Sequence, residues 1–273
     1  MREEIIKKIL IYAGGLFLFA FAVSPFLWMM VVSLSTSHRF LVDGGFQFTW
    51  EHYIGIFTQS QFLSYFVNSL IIAVVVSLVV SIFASFAGYA VSRIRFPGRV
   101  AIPLFVLAMS MFPQVSIVGY LADLFGKLNL INTHFALILP YIAWTVPLAL
   151  WINMSYFTQI PLDLDKAALV DGASRTKTLV RIILPIALPG IFSSFLLVFI
   201  ACFNEFLFAM MLTSSPDAQT IPVGIASFSG LYGETSWGMV MAASFIASLP
   251  LIILTLVFQR YIVQGLAAGS VKG

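Results

Sequence analysis

Asn204 and Glu205 stand side by side inside an otherwise apolar stretch, flanked by Phe203 and Phe206. A carboxylate there is costly unless water or a partner meets it, so the pair reads as functional by default. An amide and a carboxylate can hydrogen-bond hydroxyl groups while the flanking rings offer apolar faces. Glu205 can equally hold helices together or gate a cavity without touching a ligand, and the sequence leaves both readings open. The second chemistry-bearing stretch is DKAALVDGASRTKTLVRIILPIALPG, residues 165–190, where charge interrupts two apolar runs. Pro161 halts what precedes it, and Asp163 is placed to cap a short helix whose Leu164, Ala167 and Ala168 share a face. Gly172 supplies a left-handed residue to end that helix. A second short helix is expected after Ser174, carrying Arg175, Lys177 and Arg181 outward before Pro185 opens the next apolar run.

Other chemistries are missing. No Gly-x-x-x-x-Gly-Lys-Ser/Thr phosphate cradle occurs, so if ATP drives this chain another chain hydrolyses it. His38, His52 and His134 have no partner at metal-ligand spacing, so no metal is expected. No His-Glu-x-x-His or Gly-x-Ser-x-Gly motif is present, which argues against a membrane protease or acyl enzyme. Cys202 is the sole cysteine, so no disulfide can form within the chain.

The elements that must position these residues are membrane helices. With 60% hydrophobic residues, 9% charged and a mean hydropathy of +1.02, the chain of 273 residues is a polytopic membrane protein. Six stretches are long enough to span: about 9–34, 67–91, 100–122, 135–157, 186–212 and 238–263. The first follows Lys7 and Lys8 as a secretory signal would, but is too long for a signal core and is read as a helix. Met109, Met111, Phe112 and Pro113 mark a break in the third span, and Pro140 and Pro147 are expected to disturb the fourth. Of the 14 Lys and Arg, only Arg39 and Lys127 fall in the loops that alternate with the basic ones. That asymmetry places both termini and the 158–187 loop in the cytoplasm, and it also accounts for the net charge of +3 without a nucleic-acid partner. The 92–99 segment, with Arg93, Arg95 and Arg99, reads as an ordinary inner turn. No domain boundary is apparent, so residues 1–273 read as one transmembrane domain.

The inner loop resembles the signature of permease subunits of binding-protein-dependent ABC importers, E-A-A-x-x-x-G, nine residues, then I-x-L-P. Ala167, Ala168, Gly172, Ile182, Leu184 and Pro185 fall on it in register, with Lys166 where the motif has Glu. Asp165 and Asp171 keep carboxylates close by. The resemblance extends over FVNSLIIA at 66–73, FAGYAVSRIRFPGR at 86–99, FNEFLFAMMLTSS at 203–215, TIPVGIASF at 220–228 and QRYIVQGLAAGSVKG at 259–273, and narrows to the carbohydrate branch of maltose-type smaller permeases. Phe203 stands where that branch usually has Trp.

The resemblance implies an all-α fold of six transmembrane helices, that of a type I ABC importer permease in a prokaryotic plasma membrane. It implies that residues 163–185 form a coupling helix docked on an ATPase, with Asp165, Lys166, Ala167, Ala168, Asp171, Gly172 and Ala173 at the contact. The motif's Glu would make a salt bridge there, and Lys166 reverses its sign or moves it to Asp165. The implied partners are a second related permease, two ATPase subunits that use ATP and Mg²⁺, an extracytoplasmic sugar-binding protein, a sugar and membrane lipid. The loop at 213–237, with Asp217 and Glu234, would reach toward the binding protein, and the tail GLAAGSVKG would contact the ATPases. Asn204, Glu205, Phe203 and Phe206 would line the substrate pathway. Rival readings are an importer for a polyamine or glycerol phosphate, a channel or membrane enzyme needing no motor, and a scaffold that only binds the ATPase.

Overall fold

The computed structural model describes residues 2–38, 40, 45–58, 60–228 and 235–270. Arg39, Glu234 and the tail residues 271–273, including Lys272, lie outside the described residues. The apolar runs form helices because hydrocarbon offers no partner for backbone polar groups, and a helix pairs its own. In chain order these are α1 (Arg2–Ser33), α2 (Glu51–Thr58), α3 (Phe62–Arg93), α4 (Ala101–Ser110), α5 (Gln114–Lys127) and α6 (His134–Gln159). They continue with α7 (Asp163–Val170), α8 (Arg175–Thr178), α9 (Leu184–Phe203), α10 (Leu207–Leu212), α11 (Ile221–Ala226) and α12 (Trp237–Ser270). Ser35 and Phe48 form an isolated antiparallel bridge.

Among the described residues, five continuous helical stretches are long and apolar enough to cross a membrane, and the bent pair α4–α5, taken as one span, makes six. The bend of 86° falls at Met111–Pro113. Pro113 there is extended, with φ −69° and ψ 128°, and has no N–H to continue the ladder. Pro140 and Pro147, by contrast, sit inside α6 without ending it. The fifth apolar run differs from the expected single helix over 186–212. It enters through a π-turn at Leu179–Ile183, stops at Phe203 and restarts as α10. The last helix runs on to Ser270.

Contacts divide the chain into two compact units, residues 1–62 with 225–249, and residues 63–224 with 250–273, where composition alone shows no boundary. In the first unit, α1 buries only 6% of its most apolar window. Tyr12, Phe17 and Phe21 are exposed along it, so lipid or protein must cover an almost wholly apolar rod. His52 fills the space left by the absent side chain of Gly238, and its Nε2 lies 3.0 Å from the Ser35 carbonyl.

In the second unit, α3, α6 and α9 pack through small residues and a buried polar link. A Cβ on Gly88 would lie 3.2 Å from the Met154 backbone nitrogen of α6, and one on Gly190 would enter the Tyr156 ring. The Asn153 side chain donates to Ser85 Oγ at 3.4 Å and accepts from Ser194 Oγ at 3.0 Å, so one amide ties three helices. At the far end, Asn68 donates to the carbonyls of Pro216 and Gln219, each at 2.9 Å, and meets His134 Nε2 at 3.0 Å. Asn132 accepts the amides of Ser214 and Ser215 at 2.9 Å each. The segment after α10 is thereby pinned to α3 and to the start of α6.

Candidate functional site

Glu205 sits in the gap between α9 and α10 and is 6% exposed. The gap exists because the helix stops at Phe203, which frees the first amides of α10. Glu205 satisfies them: its Oε1 accepts from Phe208 N at 2.9 Å and its Oε2 from Ala209 N at 3.2 Å. Tyr141 of α6, itself fully buried, donates to Oε2 at 2.6 Å. The carboxylate is thus a cap for α10 and a tie between α6 and the α9–α10 break. Tyr141 is the partner that sequence reasoning missed, since nothing local to residue 205 points to a residue 64 positions earlier.

The four residues at this break alternate. Phe203 is buried at 3% exposure, stacked on Phe199 with ring centroids 5.6 Å apart. Asn204 and Phe206 are exposed, Phe206 at 41%, and the Asn204 amide donates to the Ile200 carbonyl at 2.8 Å, while its oxygen meets no partner among the described residues. The structure therefore does not bring all four to one surface: Asn204 and Phe206 face out, and Phe203 and Glu205 support them from within. The next turn borders a cleft of about 500 Å³. Phe208 of α10, Met109 and Phe112 at the α4–α5 bend, Trp144 of α6 and the prolines Pro140 and Pro147 line it, with Gln114 and Ser110 among its few polar groups. Aromatic walls with sparse polar groups suit a polyhydroxylated ligand or an apolar partner.

The second candidate is the α7–α8 turn. α7 starts at Asp163, preceded by Leu162 without a side-chain cap, so Asp163 is its first residue rather than its cap. The helix ends in a Schellman turn: Ala173 N bonds Ala168 O at 2.9 Å, Gly172 N bonds Leu169 O at 3.1 Å, and Gly172 takes φ +78°. Ser174 then caps α8 by accepting from Lys177 N at 3.3 Å. Exposed Lys166 pairs with Asp163 at 2.8 Å, which holds the Asp163 carboxyl below its usual range.

The expected contact residues separate by face. Asp163, Ala167 and Val170 follow helical spacing on an exposed face, with Asp171 and Gly172 at its end and Val170 88% exposed. Ala168, in contrast, is buried at 4% and packs inward, so its small side chain serves the chain's own packing. Asp165 also turns inward. Tyr89 donates to its Oδ1 at 2.8 Å, and the Arg93 guanidinium lies 3.7 Å from Oδ2, so the carboxylate is tied to α3 within the chain. Ala173 is half-buried. Arg93 is no ordinary turn residue: its side chain is 4% exposed and donates to the Phe157 and Ile160 carbonyls at the end of α6. The i, i+4 spacing of Tyr89 and Arg93 was the available signal. Together these contacts clamp α3, α6 and α7.

Residues 82–268 match the family described as "Binding-protein-dependent transport system inner membrane component". The chain is 52% identical, over the whole of both chains, to the trehalose/maltose transport system permease protein MalG of Thermococcus litoralis. It is 37% identical to the trehalose transport system permease protein SugB of Mycobacterium tuberculosis, over 93% of each chain. Its fold matches a subunit of a bacterial ABC transporter involved in importing the acidic polysaccharide alginate, with TM-score 0.74 at 20% identity over 96% of this chain and 98% of that one. The alginate transporter in complex with its pentasaccharide-bound periplasmic protein gives a TM-score of 0.67 at 18% identity over 94% and 95%. A helical chain of six apolar segments, with a charged two-helix turn clamped to their ends, thus belongs to the binding-protein-dependent transport system inner membrane components, the permeases of ABC importers.

Proposed function

We propose that this chain is one of two related permeases of an ATP-driven importer for a sugar, in the trehalose and maltose range of di- or oligosaccharides. The observation that carries the sugar reading is the 52% identity over the whole of both chains with a trehalose/maltose permease. The spans hold no Lys or Arg away from their ends, which disfavours an anionic substrate.

In this reading the basic loops and both termini face the cytoplasm. The exposed α7 face of Asp163, Ala167 and Val170 docks in a groove of an ATPase subunit, with Lys166 at its edge in place of the motif's glutamate. Two such subunits bind ATP and Mg²⁺, for which this chain has no phosphate cradle. Their closure moves α7, and the Asp165–Arg93–Tyr89 clamp passes the motion to α3 and α6. Tyr141 and Glu205 then couple α6 to the α9–α10 break, where Asn204 and Phe206 meet the passing sugar. The aromatic cleft at the α4–α5 bend lines the same half-pathway, and the second permease supplies the rest. The pinned segment 213–220 presents the outer surface to a sugar-loaded binding protein.

The test is ATP hydrolysis by the assembly purified through this chain and reconstituted in liposomes. Stimulation by a sugar-loaded binding protein supports the proposal. Recovery of the chain without any ATPase, under conditions that preserve its helical content, would overturn it.

A further inference from the structure

On its other side α7 faces a second feature, a cleft of about 230 Å³ whose lining includes Arg93, Arg95, Asp165, Lys166, Leu169 and Arg175. Four cations thus surround one carboxylate. Leu162, Asp165, Lys166 and Leu169 follow helical spacing on this flank, whereas Asp163, Ala167 and Val170 mark the other face, so an occupant here need not compete with a partner docked there. Asp165 is paired with Arg93 and accepts from Tyr89 at Oδ1, while its Oδ2 accepts no hydrogen bond. The positive excess is therefore carried by Arg95 and Arg175, whose side chains make no ion pair or hydrogen bond among the described residues. Arg93, at 4% exposure, also keeps a buried Nε with no hydrogen-bond partner in this lining.

The cleft also has a definite depth. Arg93 is the last residue of α3, a helix long and apolar enough to cross a membrane, so the cleft lies at the charged end of a candidate span. Bilayer phosphates border the ends of membrane spans, and guanidinium forks match phosphate oxygens better than a point charge does. Leu162 and Leu169, 55% and 48% exposed, add apolar surface at the same cleft.

We propose that this cleft binds the phosphate of an anionic phospholipid headgroup, which bridges Arg95 after α3 to Arg175 of α8 and braces α7 from its membrane flank. The test is native mass spectrometry of the lipid-depleted assembly, titrated separately with phosphatidylglycerol, phosphatidylcholine and inorganic phosphate. Each cation near a membrane surface is worth roughly fivefold in affinity, so the double variant Arg95→Gln with Arg175→Gln should bind phosphatidylglycerol about 25-fold more weakly. Arg95→Lys with Arg175→Lys should recover most of that loss, and phosphatidylcholine binding should not respond to either variant. Should the glutamine variant fail to assemble, the wild-type assembly gives a second reading: added salt should weaken phosphatidylglycerol binding and spare phosphatidylcholine. Equal affinity of wild type and glutamine variant for phosphatidylglycerol, equal wild-type affinity for the two lipids, or saturation by inorganic phosphate without lipid binding would each overturn the proposal.

Discussion

Replacing Glu205 should damage the fold before it damages recognition. Glu205→Ala removes the acceptor from three buried donors at once, the amides of Phe208 and Ala209 and the Tyr141 hydroxyl. At about 1–3 kcal/mol for each buried donor left unmade, with partial relaxation, the loss is on the order of 3–6 kcal/mol. Glu205→Gln keeps one oxygen for the Ala209 amide and the Tyr141 hydroxyl but turns its NH₂ toward the Phe208 amide, a loss of about 1–2 kcal/mol. Thermal unfolding in detergent at a fixed scan rate reads both, and for a chain of this size the alanine variant should melt on the order of 10 °C lower. A cycle with Tyr141→Phe adds the coupling, expected at about 0.5–3 kcal/mol because the two side chains share one hydrogen bond. An alanine variant that melts with the wild type while sugar-dependent activity disappears would refute the cap and return Glu205 to the ligand.

Other outcomes follow from the same geometry. Asn204→Ala and Phe206→Ala, both exposed, should shift melting by less than about 0.5 kcal/mol equivalent while raising the sugar concentration for half-maximal uptake; unchanged uptake kinetics would remove them from the pathway. Val170→Glu on the exposed face of α7 should leave melting unchanged and lower ATPase recovery on purification, whereas Ala168→Trp should destabilise the chain itself because Ala168 is 4% exposed. Gly172→Ala should cost about 1 kcal/mol by conformation alone, since φ is +78° and no atom lies within 4 Å of the added carbon. Gly172→Pro, which also removes the bond to Leu169, should abolish uptake with membrane insertion intact. Gly190→Ala should cost about 1–3 kcal/mol through collision with the Tyr156 ring, read as a lower melting temperature that Tyr156→Leu partly restores.

The sequence carried what hydropathy and local turn chemistry determine. Apolar length marked the membrane helices, Pro113 marked the α4–α5 bend, and Gly172 marked the left-handed end of α7. It did not carry what depends on which helices become neighbours. The break after Phe203 has no proline or glycine to announce it, and it is held open by a carboxylate whose partner, Tyr141, lies on another helix. Ala167 and Ala168 are adjacent in the motif, yet only packing decides that one is exposed and the other buried. Asp165 looked free because its partners, Tyr89 and Arg93, sit on a helix more than seventy residues earlier. The boundary between the two compact units leaves no compositional trace, because lipid-facing and protein-facing surfaces of membrane helices are similarly apolar.

In the proposed importer, α7 of this chain converts ATP hydrolysis elsewhere into sugar movement along the chain's own helices. The most direct measurement is accumulation of a labelled disaccharide in proteoliposomes carrying the purified assembly, with ATP and a binding protein supplied or withheld, beside the Val170→Glu assembly. Accumulation against the gradient is expected only when ATP and the loaded binding protein are both present, and it should be lost in the variant at equal protein content. Downhill sugar flux without ATP, or full accumulation by the Val170→Glu assembly, would contradict that coupling.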